Sequence, residues 1–184
     1  MALTRKELKQ ADELQLSDNF TLLELIRSTR RPDLVEYPSE EIIEKLREFA
    51  VNVLQPLRAE CNDGKPLFVD SGYRNPALNG CKEIGGVKHS IHQVFYQGRF
   101  QGVATDINIG GDVYELFSKI AAWENKMLKK VILYPGRNFI HIDSSAGIAT
   151  RVYYVKIGKD YRLLTAAEAQ NIKQTLLNKF SIKV

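Results

Sequence analysis

Apolar residues recur at three- and four-residue spacings in some stretches of the chain and alternate with polar ones in others. Ile42, Ile43, Leu46, Phe49, Ala50, Val53, Leu54 and Leu57 share one helical face. Ser39-Glu40-Glu41 opens that helix, and Asn62-Asp63-Gly64 stops it. Pro56 lies inside the pattern and predicts a kink near the last turn. A shorter helix starts at Thr21, where Glu24 completes a capping box, and breaks at Arg30-Arg31-Pro32-Asp33. Ahead of it, residues 1–18 read as a flexible, loosely helical lead-in.

Beyond Asn62-Asp63-Gly64 the segments shorten. Pro66 to Ser71 and Val103 to Ile109 read as strands, and Gly110-Gly111-Asp112 leads into an amphipathic helix from Val113 to Glu124. Lys130 to Tyr134 and Asn138 to Asp143 predict two strands joined by a Pro135-Gly136 turn. Arg151 to Ile157 and Tyr161 to Leu164 predict a hairpin across Gly158-Lys159-Asp160, and a helix runs from Thr165 to Phe180. This order predicts an α+β fold with an antiparallel central sheet, N-terminal helices packed on it and a C-terminal hairpin plus helix. The apolar face Ala166, Ala169, Ile172, Leu176 and Leu177 packs either on the chain's own core or on a partner.

With 184 residues, 44% hydrophobic and 26% charged, the chain has the composition of one soluble domain able to bury a core. No apolar run reaches the roughly 18 residues of a membrane span. Met1-Ala2-Leu3-Thr4-Arg5-Lys6-Glu7 opens without an apolar signal core, so synthesis in the cytoplasm without a signal peptide is expected. The net charge of +4 is spread along the chain and makes no nucleic-acid footprint. Cys61 and Cys81 form no CxxC pair, which excludes a thiolate zinc site; two buried free thiols are expected, with a Cys61–Cys81 pairing as the alternative.

The chemistry concentrates around three histidines, His89, His92 and His141. In Phe139-Ile140-His141-Ile142-Asp143 the strand period of two sets His141 and Asp143 on the face opposite Ile140 and Ile142. His92, Asp106 and His141 together supply the donor types of a catalytic zinc with one coordination position left open. The bland alternative is a surface-loop His92 and a hydrogen-bonded structural His141.

Five segments occur in order: Ser71-Gly72-Tyr73-Arg74-Asn75, Gly85-Gly86-Val87-Lys88-His89-Ser90-Ile91-His92, Gly102-Val103-Ala104-Thr105-Asp106, Val131-Ile132-Leu133-Tyr134-Pro135 and Phe139-Ile140-His141-Ile142-Asp143. This series resembles the zinc D-alanyl-D-alanine carboxypeptidase family, whose members cut peptidoglycan peptides and include phage endolysins and vancomycin-resistance dipeptidases. Phe20-Thr21-Leu22-Leu23-Glu24-Leu25 and Pro56-Leu57-Arg58 are similar to phage and bacterial members as well. The resemblance implies a peptidase-like domain over residues 19–164, with residues 165–184 as a helical extension packed on it. It implies His92, Asp106 and His141 as zinc ligands, and Arg74 as the residue facing a substrate carboxylate or developing oxyanion. A salt bridge holding the loop is the alternative role for Arg74. Tyr73 and Ser90 are expected to shape the substrate-binding loop.

The sequence departs from the family pattern twice. Asp106 follows His92 by fourteen residues, a longer interval than in the family, and the extra stretch is Val94-Phe95-Tyr96-Gln97-Gly98-Arg99-Phe100. A hairpin can carry it and still return Asp106 to the metal, because lengthening a loop costs little; its role is a substrate-reading lip, a protein contact or a plain excursion. Many relatives also place a Glu or His just before the last strand, where this chain has Tyr134-Pro135-Gly136-Arg137-Asn138. Asp143 is the nearest replacement base, or else a partner orienting a ligand histidine. Tyr134 is a weaker candidate, and His89 is expected on the pocket rim.

The leading expectation is therefore a zinc metallopeptidase acting on peptidoglycan stem peptides, reaching the wall after release or carried in a virion. The alternative from another class is a non-catalytic binding or structural protein that keeps the fold, for instance beside other phage virion proteins.

Overall fold

The computed structural model describes residues 2–182; Met1 of the expected lead-in and residues 183 and 184 of the expected extension lie outside the described residues. Helix α1 (Arg5–Glu13) occupies the lead-in, closed at its start by a Thr4–Glu7 capping box. Ala11, Leu16 and Phe20 of this region are buried in the common core, so the segment is docked on the domain. A short ribbon, β1 (Gln15–Ser17) and β2 (Phe20–Thr21), leads into α2 (Leu22–Ile26). The Thr21–Glu24 capping box forms as the sequence predicts, with Thr21 N donating to Glu24 Oε2 at 2.8 Å.

The long helix begins at α3 (Glu40–Phe49), capped by Ser39. It continues to Cys61 through two wide π-type stretches, Ala50–Leu54 and Leu57–Cys61, on either side of Pro56. Proline lacks the N–H that would bond the carbonyl four residues back. That carbonyl, of Asn52, instead accepts Asn125 Nδ2 at 2.8 Å. The expected disturbance at Pro56 thus takes the form of widened turns, and a distant side chain donates to the Asn52 carbonyl.

The main sheet has the strand order β10-β9-β7-β8-β6-β3, built from β3 (Phe68–Ser71), β6 (Ala104–Asn108), β7 (Lys130–Tyr134), β8 (Phe139–Asp143), β9 (Val152–Ile157) and β10 (Asp160–Leu164). Four of the neighbour pairs are antiparallel, but β7 and β9 run parallel. The expected purely antiparallel sheet is therefore corrected to a mixed one. The reason is topological: β8 ends opposite Lys130, where β7 begins, and after residues 144–151 strand β9 starts at that same end, with Val152 opposite Lys130. Arg151 fixes this crossing by donating to the carbonyls of Leu128, Ile120, Trp123 and Asn125.

Alternation gives the sheet two unlike faces. Val69, Ile107, Val131, Leu133, Ile140, Ile142, Tyr153 and Val155 are buried on one side. Helix α5 (Val113–Ala122) contributes Val113, Leu116, Phe117 and Ile120 to the same core. Each such side chain, fully buried, contributes roughly 1.5–3 kcal/mol relative to exposure. The opposite face carries Lys130, Ile132, Tyr134, Phe139, His141, Asp143 and Asp106 into a cleft. The C-terminal segment forms two helices, α6 (Ala166–Gln170) and α7 (Ile172–Phe180), where the sequence predicts one; Asn171 breaks the helical geometry between them. Ala169, Ile172 and Leu176 pack into the chain's own core. Cys61 and Cys81 are both free; Cys61 is buried, whereas Cys81 is half-buried beside Arg31, whose Nη1 donates to its sulfur at 2.9 Å.

Candidate metal centre

Strand pairing delivers two of the three candidate ligands. Asp106 on β6 lies directly opposite His141 on β8. His92 arrives on a separate 3-10 turn, Ile91–Gln93, capped by Ser90, whose Oγ accepts the His92 N–H at 3.3 Å. That turn is tied to residues 72–74: Arg74 N donates to the His92 carbonyl at 2.8 Å, and His92 Nδ1 donates to the Gly72 carbonyl at 2.7 Å. Residues 72–74 are docked on the end of α2, with Tyr73 N donating to the Leu25 carbonyl at 2.6 Å. A Cβ on Gly72 would stand 2.2 Å from the Leu25 oxygen, so only glycine permits this approach.

The side chains of His92, Asp106 and His141 place their ligand atoms within 4.8 Å of one another. Asp106 Oδ1 is 3.5 Å from His92 Nε2 and 2.9 Å from His141 Nδ1. The outward ring nitrogens are committed elsewhere. His92 Nδ1 is held by Gly72, and His141 Nε2 donates to Asp143 Oδ2 at 3.0 Å. Each imidazole is thereby oriented so that its other nitrogen faces Asp106. Histidines backed by a carbonyl or a carboxylate, with their other nitrogens converging on a carboxylate, fit the donor set of a tetrahedral zinc site.

Charge is arranged accordingly. Burial lowers the pKa of His92, which favours the neutral ring. His141 is opposed by burial too, but its hydrogen bonds to Asp106 and Asp143 prevail and push it up to about 9. Burial works to raise Asp106, yet the charge and hydrogen bonds of the two histidines hold its carboxyl well below the usual range. Asp143 is likewise held low against burial by His141, with Lys130 and Ser145 assisting.

The cleft above these residues encloses about 640 Å³. A second lobe of about 670 Å³ adjoins it and shares Ile84, Arg74, Asp106, Arg137 and Phe139 with it. Arg74 stands at the junction, with Nη2 donating to Asp106 Oδ2 at 3.1 Å and Nε to Ser71 Oγ at 2.9 Å. The salt bridge weighed for Arg74 is thus made to a candidate metal ligand. Ser90 lines the cleft and caps the His92 turn. Tyr73 does not line the cleft; it is buried in the core beneath the loop that it was expected to shape. Asp143 is fully buried and bonded to His141, Lys130 and Ser145, the surroundings of an orienting group more than of a base open to substrate. His89 lies exposed on the rim, against Tyr96 at 4.2 Å between ring centroids.

The extra stretch forms a hairpin, β4 (Phe95–Tyr96) and β5 (Arg99–Phe100), turning at Gln97 and Gly98, both with positive φ. Asp106 returns to the centre as the loop-length argument anticipates. Sequence reasoning missed Lys130, Ser145, Lys156 and Tyr161. The alternation of β7 could have flagged Lys130, but Lys156 and Tyr161 reach the cleft only through the parallel pairing of β9.

The open face of the mixed sheet carries Asp106 and His141, and the turn bearing His92 completes a cluster that could hold a metal ion. The Peptidase M15 family model matches residues 18–143, and the chain belongs to that family. No curated protein and no solved structure matches the chain.

Proposed function

We propose that this protein is a zinc-dependent peptidase that hydrolyses peptidoglycan stem peptides, as a D-amino-acid carboxypeptidase or an endopeptidase. The observation that carries the reading is the convergence of His92 Nε2, His141 Nδ1 and the Asp106 carboxylate, each backed by its own partner. These three residues would hold the zinc, which when bound supplies Lewis acidity toward the peptide carbonyl. Arg74 is paired with Asp106 and has further N–H groups to offer a carbonyl oxygen as negative charge develops on it. Asp143 fixes the proton of His141 on Nε2 and so keeps Nδ1 turned inward. Burial raises the Tyr134 phenol, which makes it a hydrogen-bond donor in the cleft and not a base.

Among the described residues no helix is long and apolar enough to cross a membrane. The mild positive charge favours an anionic wall, reached after lysis or from a virion. A metal-binding module without hydrolytic activity is the second reading. It is favoured by one observation: among the described residues Asp106 and Asp143 are the only carboxylates lining the 640 Å³ cleft, and both are engaged. Metal analysis joined to digestion of purified peptidoglycan, with fragments read by mass, tests both. Stoichiometric zinc with new peptide termini supports the peptidase; zinc with an intact wall supports the second reading, and an absence of metal binding sinks both.

A further inference from the structure

The β9–β10 hairpin (Val152–Leu164) lies beyond the residues matched to the family, yet it builds one wall of the cleft through Lys156, Gly158 and Tyr161. Tyr161 sits opposite Lys156 in the antiparallel pairing, so both side chains stand on the cleft face. The Tyr161 hydroxyl is 3.0 Å from that of Tyr134 on β7. Two phenols joined by one hydrogen bond use one proton between them, and the second O–H remains to be donated. The pair is held rigidly: the Tyr134 ring stacks on Phe139 at 4.4 Å, and Lys156 Nζ lies 3.8 Å from the Tyr161 ring centroid. Lys156 Nζ is also fixed by the Lys159 carbonyl at 2.5 Å. Arg137, on the turn after Tyr134, lines the same cleft and has no hydrogen-bond or ion-pair partner among the described residues. A spare hydroxyl proton, a fixed ammonium and an unpaired guanidinium on one wall form a receptor for an anionic group, and among the described residues lining this 640 Å³ cleft no free carboxylate neutralises it.

We propose that this hairpin is a specificity element, in which Tyr161 with Tyr134, Lys156 and Arg137 bind a carboxylate of the peptide substrate. The inference rests on the peptidase reading and assigns part of its substrate recognition to a segment outside the family match. In a stem peptide the carboxylate comes from the chain terminus or from the isoglutamate branch, and both sources present the same chemistry.

The test is equilibrium binding to the full-length protein of a stem tetrapeptide, L-Ala-γ-D-Glu-L-Lys-D-Ala, N-methylated at its amides so that it is not consumed. Tyr161→Phe and Lys156→Gln are expected to weaken it about five- to tenfold each. The penalty should vanish for the peptide whose recognised carboxylate is amidated, and terminal and branch amides tested separately identify the source. Tyr161 is 52% exposed, and its phenylalanine variant keeps the ring, so an unchanged melting temperature is expected. Equal affinity of the wild type and both variants for the acid peptide overturns the proposal. So does a penalty that persists when both carboxylates are amidated, or a wild type that does not bind. Hydrolysis of unmodified peptidoglycan by the wild type is scored separately, so a failure of the peptidase reading is distinguished from a failure of the hairpin's role.

Discussion

His141 and Asp143, two residues apart on β8, are joined on one face of the strand by an Nε2–Oδ2 hydrogen bond of 3.0 Å, with the carboxylate wholly buried. Asp143 is locked in turn by Ser145, whose N–H and Oγ both donate to Oδ1. If it orients the ligand histidine, Asp143→Asn should retain zinc but bind it roughly 10–100-fold more weakly, with a turnover loss of similar size. Competition titration against a chelator, together with kcat on wall fragments, checks this. Lost turnover at unchanged zinc affinity would assign Asp143 the base role instead.

The raised pKa of His141 makes the metal-free protein pH-dependent. Its folded value of about 9 exceeds its ordinary one, so its stabilising contribution is complete below the ordinary value of 6.5 and is lost as pH rises through about 9. Asp106 has the opposite sign: its lowered pKa stabilises above 3.8, and that contribution is lost as pH falls through the folded value. Thermal melts of metal-free protein should therefore show stability declining between neutral and strongly alkaline pH, and His141→Gln should flatten that decline. Zinc binding at neutral pH should release about one proton, because a ligating imidazole must be neutral. Calorimetry in buffers of different ionisation enthalpy measures it.

Arg74 pairs with the oxygen of Asp106 that faces away from the histidines. Arg74→Lys keeps a cation near Asp106 but removes the fork. The expected result is a loss of roughly 10²-fold in kcat with zinc content retained. Steady-state kinetics with parallel metal analysis is the check, and an unchanged kcat would leave Arg74 with its salt bridge alone.

Gly72→Ala tests the docking that positions His92. The added methyl would meet the Leu25 carbonyl, and the forced shift should destabilise the domain by about 1–3 kcal/mol. Since the Gly72 carbonyl holds His92 Nδ1, zinc affinity should fall as well. Denaturant melts and a zinc titration read the two effects independently.

Much of the site was legible in the sequence because it is written in local periods. Alternation in Phe139–Asp143 placed His141 and Asp143 together, and the ordered segments marked His92, Asp106 and Arg74 before any contact was known. The sequence does not reveal which way Tyr73 faces, because a tyrosine beside an arginine suits a cleft wall as well as a core. The docking of Gly72 on Leu25 settles which, and that contact joins segments far apart in the chain.

Local patterns carry the main helix starts, the strand faces and the ligand types, since capping, turn chemistry and side-chain period act over a few neighbouring residues. Assembly of the domain adds that β9 runs parallel to β7, that Asn125 donates to the Asn52 carbonyl beside Pro56, and that Tyr161 meets Tyr134 across the cleft. Each of these depends on which distant groups become neighbours when the sheet is assembled. That choice is made by burial and hydrogen-bond satisfaction across the whole domain, so no local pattern in the sequence encodes it.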